Sequence, residues 1–330
     1  MARAPDVVLS LYEMAGKPSH DKAYSDLVAD LNTLHPHEAP PEELFHYTSA
    51  GGLLDILQSN QIWATNLEFM NDFLEVKYAK ELLMHLVRQE RKSARHGLVA
   101  RFLEDTASAL YPFTNVYSFY AVSFCADGGD RLSQWRAYAG EGTGYSIGFR
   151  ATELIQAIEK YQSDAREEQI ELIQVVYRRE QQEAIVQDAV RKVCRYIEEH
   201  LTKADRRKAN QALQTLPNLL CVHLFPYVFS FKAPGFEEER EWRLVTWIPA
   251  AVEAKRVKFR ASANFTIPYL SLDLWVTRSA GEGTLPISRI IQGPRVESEV
   301  GMKSLEILKR KYGYADTEVV ASKIPFRYVV

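Results

Sequence analysis

The chain predicts an α+β fold, on three observations. Short β-type runs cluster early, at 44–48, 62–65 and 116–124, and return from Tyr227 to the end. The stretch between, 151–224, is mostly helical in pattern. The two kinds of signal do not alternate regularly, which argues against a doubly wound βαβ sheet.

In order, residues 1–40 form a leader with Leu11, Leu27, Leu31 and Leu34 as apolar points in a helix-like stretch. The segment HPHEAPP (35–41) breaks it. Its two histidines invite a metal, but a proline-rich turn explains them more simply. Leu44-Phe-His-Tyr-Thr is a short strand. Ser49-Ala-Gly-Gly then opens a helix with Leu53, Leu54 and Leu57 on one face. Ile62-Trp-Ala-Thr is a second strand, followed by the loop NLEFMND (66–72).

A helical stretch runs from Leu74 to about Leu110, with Val76, Ala79, Leu82, Leu83 and Leu86 at helical spacing. Its basic run RQERKSARH reads as a solvated face. VYSFYAVSF (116–124) is the clearest strand and ends at the turn CADGGD. The short helix LSQWRAYAG and the glycine-punctuated strand GTGYSIGF follow. Within the helical middle, IELIQVVY (170–177) is strand-like, and the charges of 178–210 suggest an outer helical pair. The segments WRLVTWI, RVKFR, NFTIPYLSLDL and SRIIQGP are β-type, a final helix spans roughly Ser298 to Tyr312, and TEVVASKIPFRYVV closes as a strand. The expected organisation is the leader 1–40 and one domain, 41–330, with a helical insertion at about 151–225.

An apolar fraction of 46% supports a full core. With 40 basic and 43 acidic residues there is no global basic field for nucleic acid, though clusters at 88–101 and 203–208 permit a local patch. Cys125, Cys194 and Cys221 contain no CxxC and build no zinc spacing, so they read as buried thiols in a reducing compartment. The apolar stretch Val7 to Leu11 is too short for a signal core or a membrane span, so a cytoplasmic protein with no membrane partner is expected. P-loop, GxGxxG, HExxH and GxSxG motifs are absent, and no metal is expected.

Four segments carry candidate chemistry. On a strand, His46 and Thr48 point one way and Tyr47 the other, giving a ligand two hydrogen-bonding groups. The plain alternative is a histidine satisfied by backbone. In FEEEREWRL, Glu239, Glu241 and Arg243 share one face if the segment is a strand, and Arg243 can keep a carboxylate ionised. The alternative is a charged loop entering an edge strand. Trp135 and Tyr138 lie three apart on one helical face, and Gly142, Gly144 and Tyr145 follow, allowing a flat ligand to approach. Ordinary helix packing explains them equally. Asn66, Asn71, Asp72 and Glu75 contribute to a site or cap the following helix.

Together these segments resemble a bacterial family of uncharacterised proteins with HYTS, NxxxMND, SQWRAYA and FxEEREWR segments. The resemblance covers roughly 44–328 and is weakest over 155–225. That family is distantly similar to the ADP-ribosyltransferases, whose split sheet grips NAD. The similarity implies a split β-sheet core with surrounding helices, and NAD as substrate. By it, His46 and Thr48 would meet a ribose, the Tyr47 backbone the nicotinamide amide, and Glu241, Glu239 and His46 would be catalytic. Trp135, Tyr138 and Tyr145 are each candidates for stacking on nicotinamide, with Asn71 and Arg243 nearby.

Breaking the nicotinamide–ribose bond develops positive charge on the ribose, which a carboxylate stabilises. Relatives of that fold often act as toxins or in defence against phage, with a protein or nucleic acid as acceptor. Two other expectations stand beside this one. A binding module sensing a nucleotide or phage component could have kept the cleft and lost the chemistry, or the protein could act on nucleic acid.

Overall fold

A computed structural model describes residues 22–31, 33, 39–70, 73–110, 117–164, 168–262, 264–277, 283–296 and 298–325. Most of the leader, with His35 and His37, and the Asn71–Asp72 pair lie outside the described residues.

Helix α1 (Lys22–Leu31) precedes strand β1 (Glu43–Thr48), α2 (Ala50–Ser59) and β2 (Ile62–Asn66). Helices α3 (Phe73–Ser93) and α4 (Gly97–Ala109) lead to β3 (Tyr117–Cys125). Next come α5 (Leu132–Tyr138), β4 (Tyr145–Arg150), α6 (Ala151–Ser163), β5 (Gln169–Gln174), α7 (Arg179–Tyr196) and α8 (Arg206–Ser230). The remainder is β6 (Glu241–Pro249), α9 (Ala250–Arg256), β7 (Lys258–Ala261), β8 (Thr266–Leu272), the short β9 (Val276–Thr277) and β10 (Gly283–Thr284), β11 (Ile287–Gln292), α10 (Ser298–Lys311) and β12 (Glu318–Ala321). The α+β class is as expected. Local chemistry sets several boundaries. Ser49, in extended conformation, caps α2 by accepting from the Gly52 amide at 3.1 Å, and the helix stops at Asn60, whose φ is 53°.

The chain divides into two compact units. A helical unit draws on 1–37, 71–118 and 175–236, and a sheet unit on 38–70, 119–174 and 237–330. The helical part is therefore not one insertion at 151–225: α6 and β5 belong to the sheet unit, and α3 and α4 to the helical one.

In the helical unit, Leu83, Val87, Phe102, Val186, Val190 and Leu216 are buried, as the helical spacing requires. Helix α8 is, among the described residues, long and apolar enough to cross a bilayer by length and composition, but 76% of its apolar window is buried within the fold. The basic run on α3 is solvated, with Arg91 reaching Glu104 at 3.6 Å while both stay exposed.

The sheet unit holds a ten-stranded sheet with the order β12-β11-β4-β1-β3-β2-β8-β7, β6 on β3 and β5 on β6. β11 and β12 pair in parallel; β1 runs antiparallel to β4 from Glu43↔Arg150 to Thr48↔Tyr145. One face buries Leu44, Phe124, Ile147, Phe149 and Trp242 beneath Leu53 and Leu57 of α2. The other face of β1 buries Phe45 and Tyr47 against Cys125 and Trp135. Deleting a core side chain such as Leu44 would cost about 2–5 kcal/mol.

Strand β3 has three neighbours but only two edges. The Ala126 amide donates to the Arg240 carbonyl at 3.0 Å, so β6 enters along one edge. β1 and β2 pair with β3 at separate points along its length. β1 pairs only at Phe45↔Cys125, and β2 only at Thr65↔Ala121 and Asn66↔Tyr120. The sheet therefore forks, with Ser123 between the two prongs.

Candidate functional site

His46 stands at the root of the fork. Its Nδ1 is 3.0 Å from the carbonyl of Ser123, which lies on β3 between the points where β1 and β2 pair. A carbonyl only accepts, so Nδ1 carries the proton. Burial, with Arg260 adding to it, holds the imidazole below its ordinary pKa, against the Ser123 bond that raises it. The neutral ring then presents Nε2 as a lone-pair acceptor, suited to a hydroxyl. The backbone contact is the plain alternative for this histidine, and it fixes one nitrogen only.

Alternation places Thr48 on the same face as His46, and the ladder sets Tyr145 directly opposite Thr48. Tyr145 packs against the main core, and burial raises its pKa. Of the three aromatic candidates it is the one on His46's face.

Further along the fork, Asn66 and Tyr120 are cross-strand partners, and the Tyr120 hydroxyl donates to Glu253 of α9. That carboxylate and the burial of the ring raise the Tyr120 pKa. Asn66 also caps the turn Leu67–Phe69 through the Glu68 amide at 2.9 Å, whereas the expected cap of the following helix, Asp72, lies outside the described residues. Arg260 reaches Thr65 Oγ1 at 3.2 Å. Tyr120, Glu253 and Arg260 were not among the sequence candidates. An isolated Glu on a seven-residue helix has no motif around it, and only the contact of α9 with Tyr120 brings it to the fork.

The acidic segment lies elsewhere. Trp242 joins the core on Leu44's side, so Glu241 and Arg243 point to the opposite face, with Tyr47 and Cys125. Arg243 Nε bonds Glu241 Oε1 at 2.7 Å and Nη2 bonds Oε2 at 2.9 Å, and both residues are buried. The expectation that His46 and Glu241 face one pocket is corrected: sheet parity separates them. Glu239 does not share their alternation either. It ends the turn Pro234–Glu239, and Arg240 follows with a left-handed φ of 43°. Tyr138 Oη donates to Glu239 at 3.2 Å.

Trp135 is fully buried, edge-on to Tyr47 at 5.0 Å, with Nε1 donating to Asp130 Oδ1 at 2.8 Å. It is packing, not a stacking platform. The Tyr47 hydroxyl accepts from the Arg131 amide at 3.1 Å, and burial with Asp127 raises its pKa. Asp127 is itself held above the usual carboxylate range by burial, opposed by the Gly129 amide and Arg131.

The glycines near Tyr145 serve the chain rather than a flat ligand. A Cβ on Gly144 would stand 2.2 Å from the Thr48 carbonyl, and Gly144 in turn accepts from the Gly293 amide at 2.9 Å. Asn71 lies outside the described residues. Among the described residues no group of three or more His, Cys, Asp or Glu side chains is arranged to hold a metal.

No curated protein and no solved structure matches the chain. Residues 134–244, from Gln134 on α5 to Leu244 on β6, match a family model described as "Protein of unknown function (DUF2971)", so the matched stretch includes Tyr138 and Glu239, which meet in the structure, and excludes His46.

Proposed function

We propose that the fork between β1 and β2 seats an NAD-type dinucleotide and that the protein breaks its nicotinamide–ribose bond, as an ADP-ribosyltransferase-like enzyme. The observation that carries this reading is His46, whose Nδ1 is fixed by Ser123 while Nε2 stays an acceptor for a ribose hydroxyl. Tyr145 is the aromatic that meets the nicotinamide. Glu253, on Tyr120, takes the carboxylate role in place of Glu241. In the reaction the C1′–N bond breaks and nicotinamide leaves with the electron pair. An oxygen of water or of a macromolecular acceptor bonds to C1′ and gives up its proton. The carboxylate stabilises the charge that develops on the ribose.

A second reading is favoured by one observation. Sheet parity takes Glu241, the carboxylate expected to be catalytic, to the face opposite His46, which suits a fork that binds a dinucleotide without turnover. One experiment separates the two. Nicotinamide release from labelled NAD is measured for wild type, His46→Ala, Glu253→Gln and Glu239→Gln, beside the melting shift that NAD causes. The enzyme reading expects release that falls about 100-fold or more in His46→Ala and Glu253→Gln. A melting shift lost in His46→Ala, with no release from any form, selects the binding reading. Neither release nor shift overturns both.

A further inference from the structure

We infer that the β7–β8 ribbon is a docking surface for single-stranded nucleic acid. From Ala254 to Leu272 the chain has four basic residues, Lys255, Arg256, Lys258 and Arg260, and no acidic one, although the whole protein carries a net charge of −3. Arg256 is engaged by Glu168, whereas Lys255, Lys258 and Arg260 form no ion pair among the described residues.

Interleaved with these cations are large aromatic side chains that the fold leaves in water. Phe259 is 63% exposed, Phe265 53% and Phe69 40%, and the rings of Phe69 and Phe265 stand 6.1 Å apart. Exposing three phenylalanines beside uncompensated cations has no stabilising role in the fold, and fits a partner with flat apolar faces and regular negative charge.

β7 is the last strand of the sheet, all four of its residues are exposed, and among the described residues no strand pairs with its outer edge. Lys258 and Arg260 point to one side of it and Phe259 to the other, so a chain lying along this edge meets both. Unstacked bases offer π-faces to the rings and phosphates to the cations; in a duplex the bases are stacked and the rings have nothing to meet. The ribbon is separate from the basic clusters at 88–101 and 203–208.

The test is fluorescence anisotropy of the full chain with labelled 20-nucleotide oligo(U), oligo(dT) and a duplex of equal length, from low to physiological salt. Binding to either single strand, with the duplex weaker, is expected. Lys255→Gln, Lys258→Gln and Arg260→Gln combined would lower the salt slope by about 2, at roughly 0.7 per phosphate contact. Phe259→Ala and Phe265→Ala would each weaken binding about fivefold or more with the slope unchanged. These are surface changes, and unaltered melting confirms folding. The inference is overturned by no binding, by equal affinity for the duplex, or by binding indifferent to either set of changes.

Discussion

Arg243 grips Glu241, two positions before it on β6, through both carboxylate oxygens, at 2.7 Å and 2.9 Å, in a buried setting. Taking away one partner leaves the other charge buried without this two-pronged contact. Arg243→Ala should therefore cost about 3–5 kcal/mol, whereas Glu241→Leu with Arg243→Leu should cost far less. Urea unfolding of the two variants beside wild type measures this. Equal losses in the single and double variants would mean the pair is not the reason these charges sit inside.

The glycine before Tyr145 is a packing requirement. Its missing side chain lets β4 pass 2.2 Å, measured from an ideal Cβ, from the Thr48 carbonyl, which is backbone and cannot swing aside. Gly144→Ala should lower stability by about 1–3 kcal/mol, an overpacking loss, and should disturb Thr48 on β1. A thermal melt checks the first effect. Unchanged melting would show that the β1–β4 turn region can move apart.

Much of the fold was legible because it depends on local pattern. LFHYT, IWAT and VYSFYAVSF alternate as strands and became β1, β2 and β3. The in-strand relation of Glu241 to Arg243 was also legible, since a period of two fixes it. What no local pattern contains is the parity between strands: whether Glu241 faces the way of His46 or of Tyr47. That depends on β3, which meets β1 at Phe45↔Cys125 and receives Arg240 at Ala126. Shifting either pairing by one residue would turn the whole strand over. The left-handed φ of Arg240 likewise broke an alternation that FEEEREWRL implied on paper. Glu253 and Arg260 were invisible for a related reason: the one reaches Tyr120 from helix α9 and the other reaches Thr65 from β7, contacts between elements that no local pattern contains.

His46 gives the protein an acid-sensitive element. Its folded pKa lies below the unfolded value of roughly 6.5, so the unfolded chain takes up a proton first as pH falls. The contribution is intact above roughly pH 6.5 and is lost as pH drops towards the folded value. His223, buried and bonded to the Leu219 carbonyl, has the same sign. His46→Gln should therefore flatten, without abolishing, the loss of stability between pH 7 and pH 5.5. Urea midpoints across that range decide it, and an unchanged slope would place the acid sensitivity elsewhere.

Glu171 should act in the opposite direction over part of the same range. It lies on β5 opposite Val245, and burial pushes its pKa up to about 7. A carboxyl with a raised folded pKa binds its proton more tightly when folded. Its share of stability is present at low pH and declines as pH rises from about 4.3, the ordinary value, towards 7. Replacing it by Gln keeps the shape and hydrogen-bonding capacity while removing the charge of this half-buried group, so Glu171→Gln should stabilise the protein at pH 8 and change little at pH 4.5. Because His46 loses stability as pH falls where Glu171 gains it, the wild-type curve is a difference of two slopes. The double variant His46→Gln, Glu171→Gln should lose more stability between pH 7 and 5.5 than His46→Gln alone and less than Glu171→Gln alone. If Glu171→Gln is less stable than wild type at pH 8, the side chain is ionised there and held by a favourable contact, and its sign is reversed.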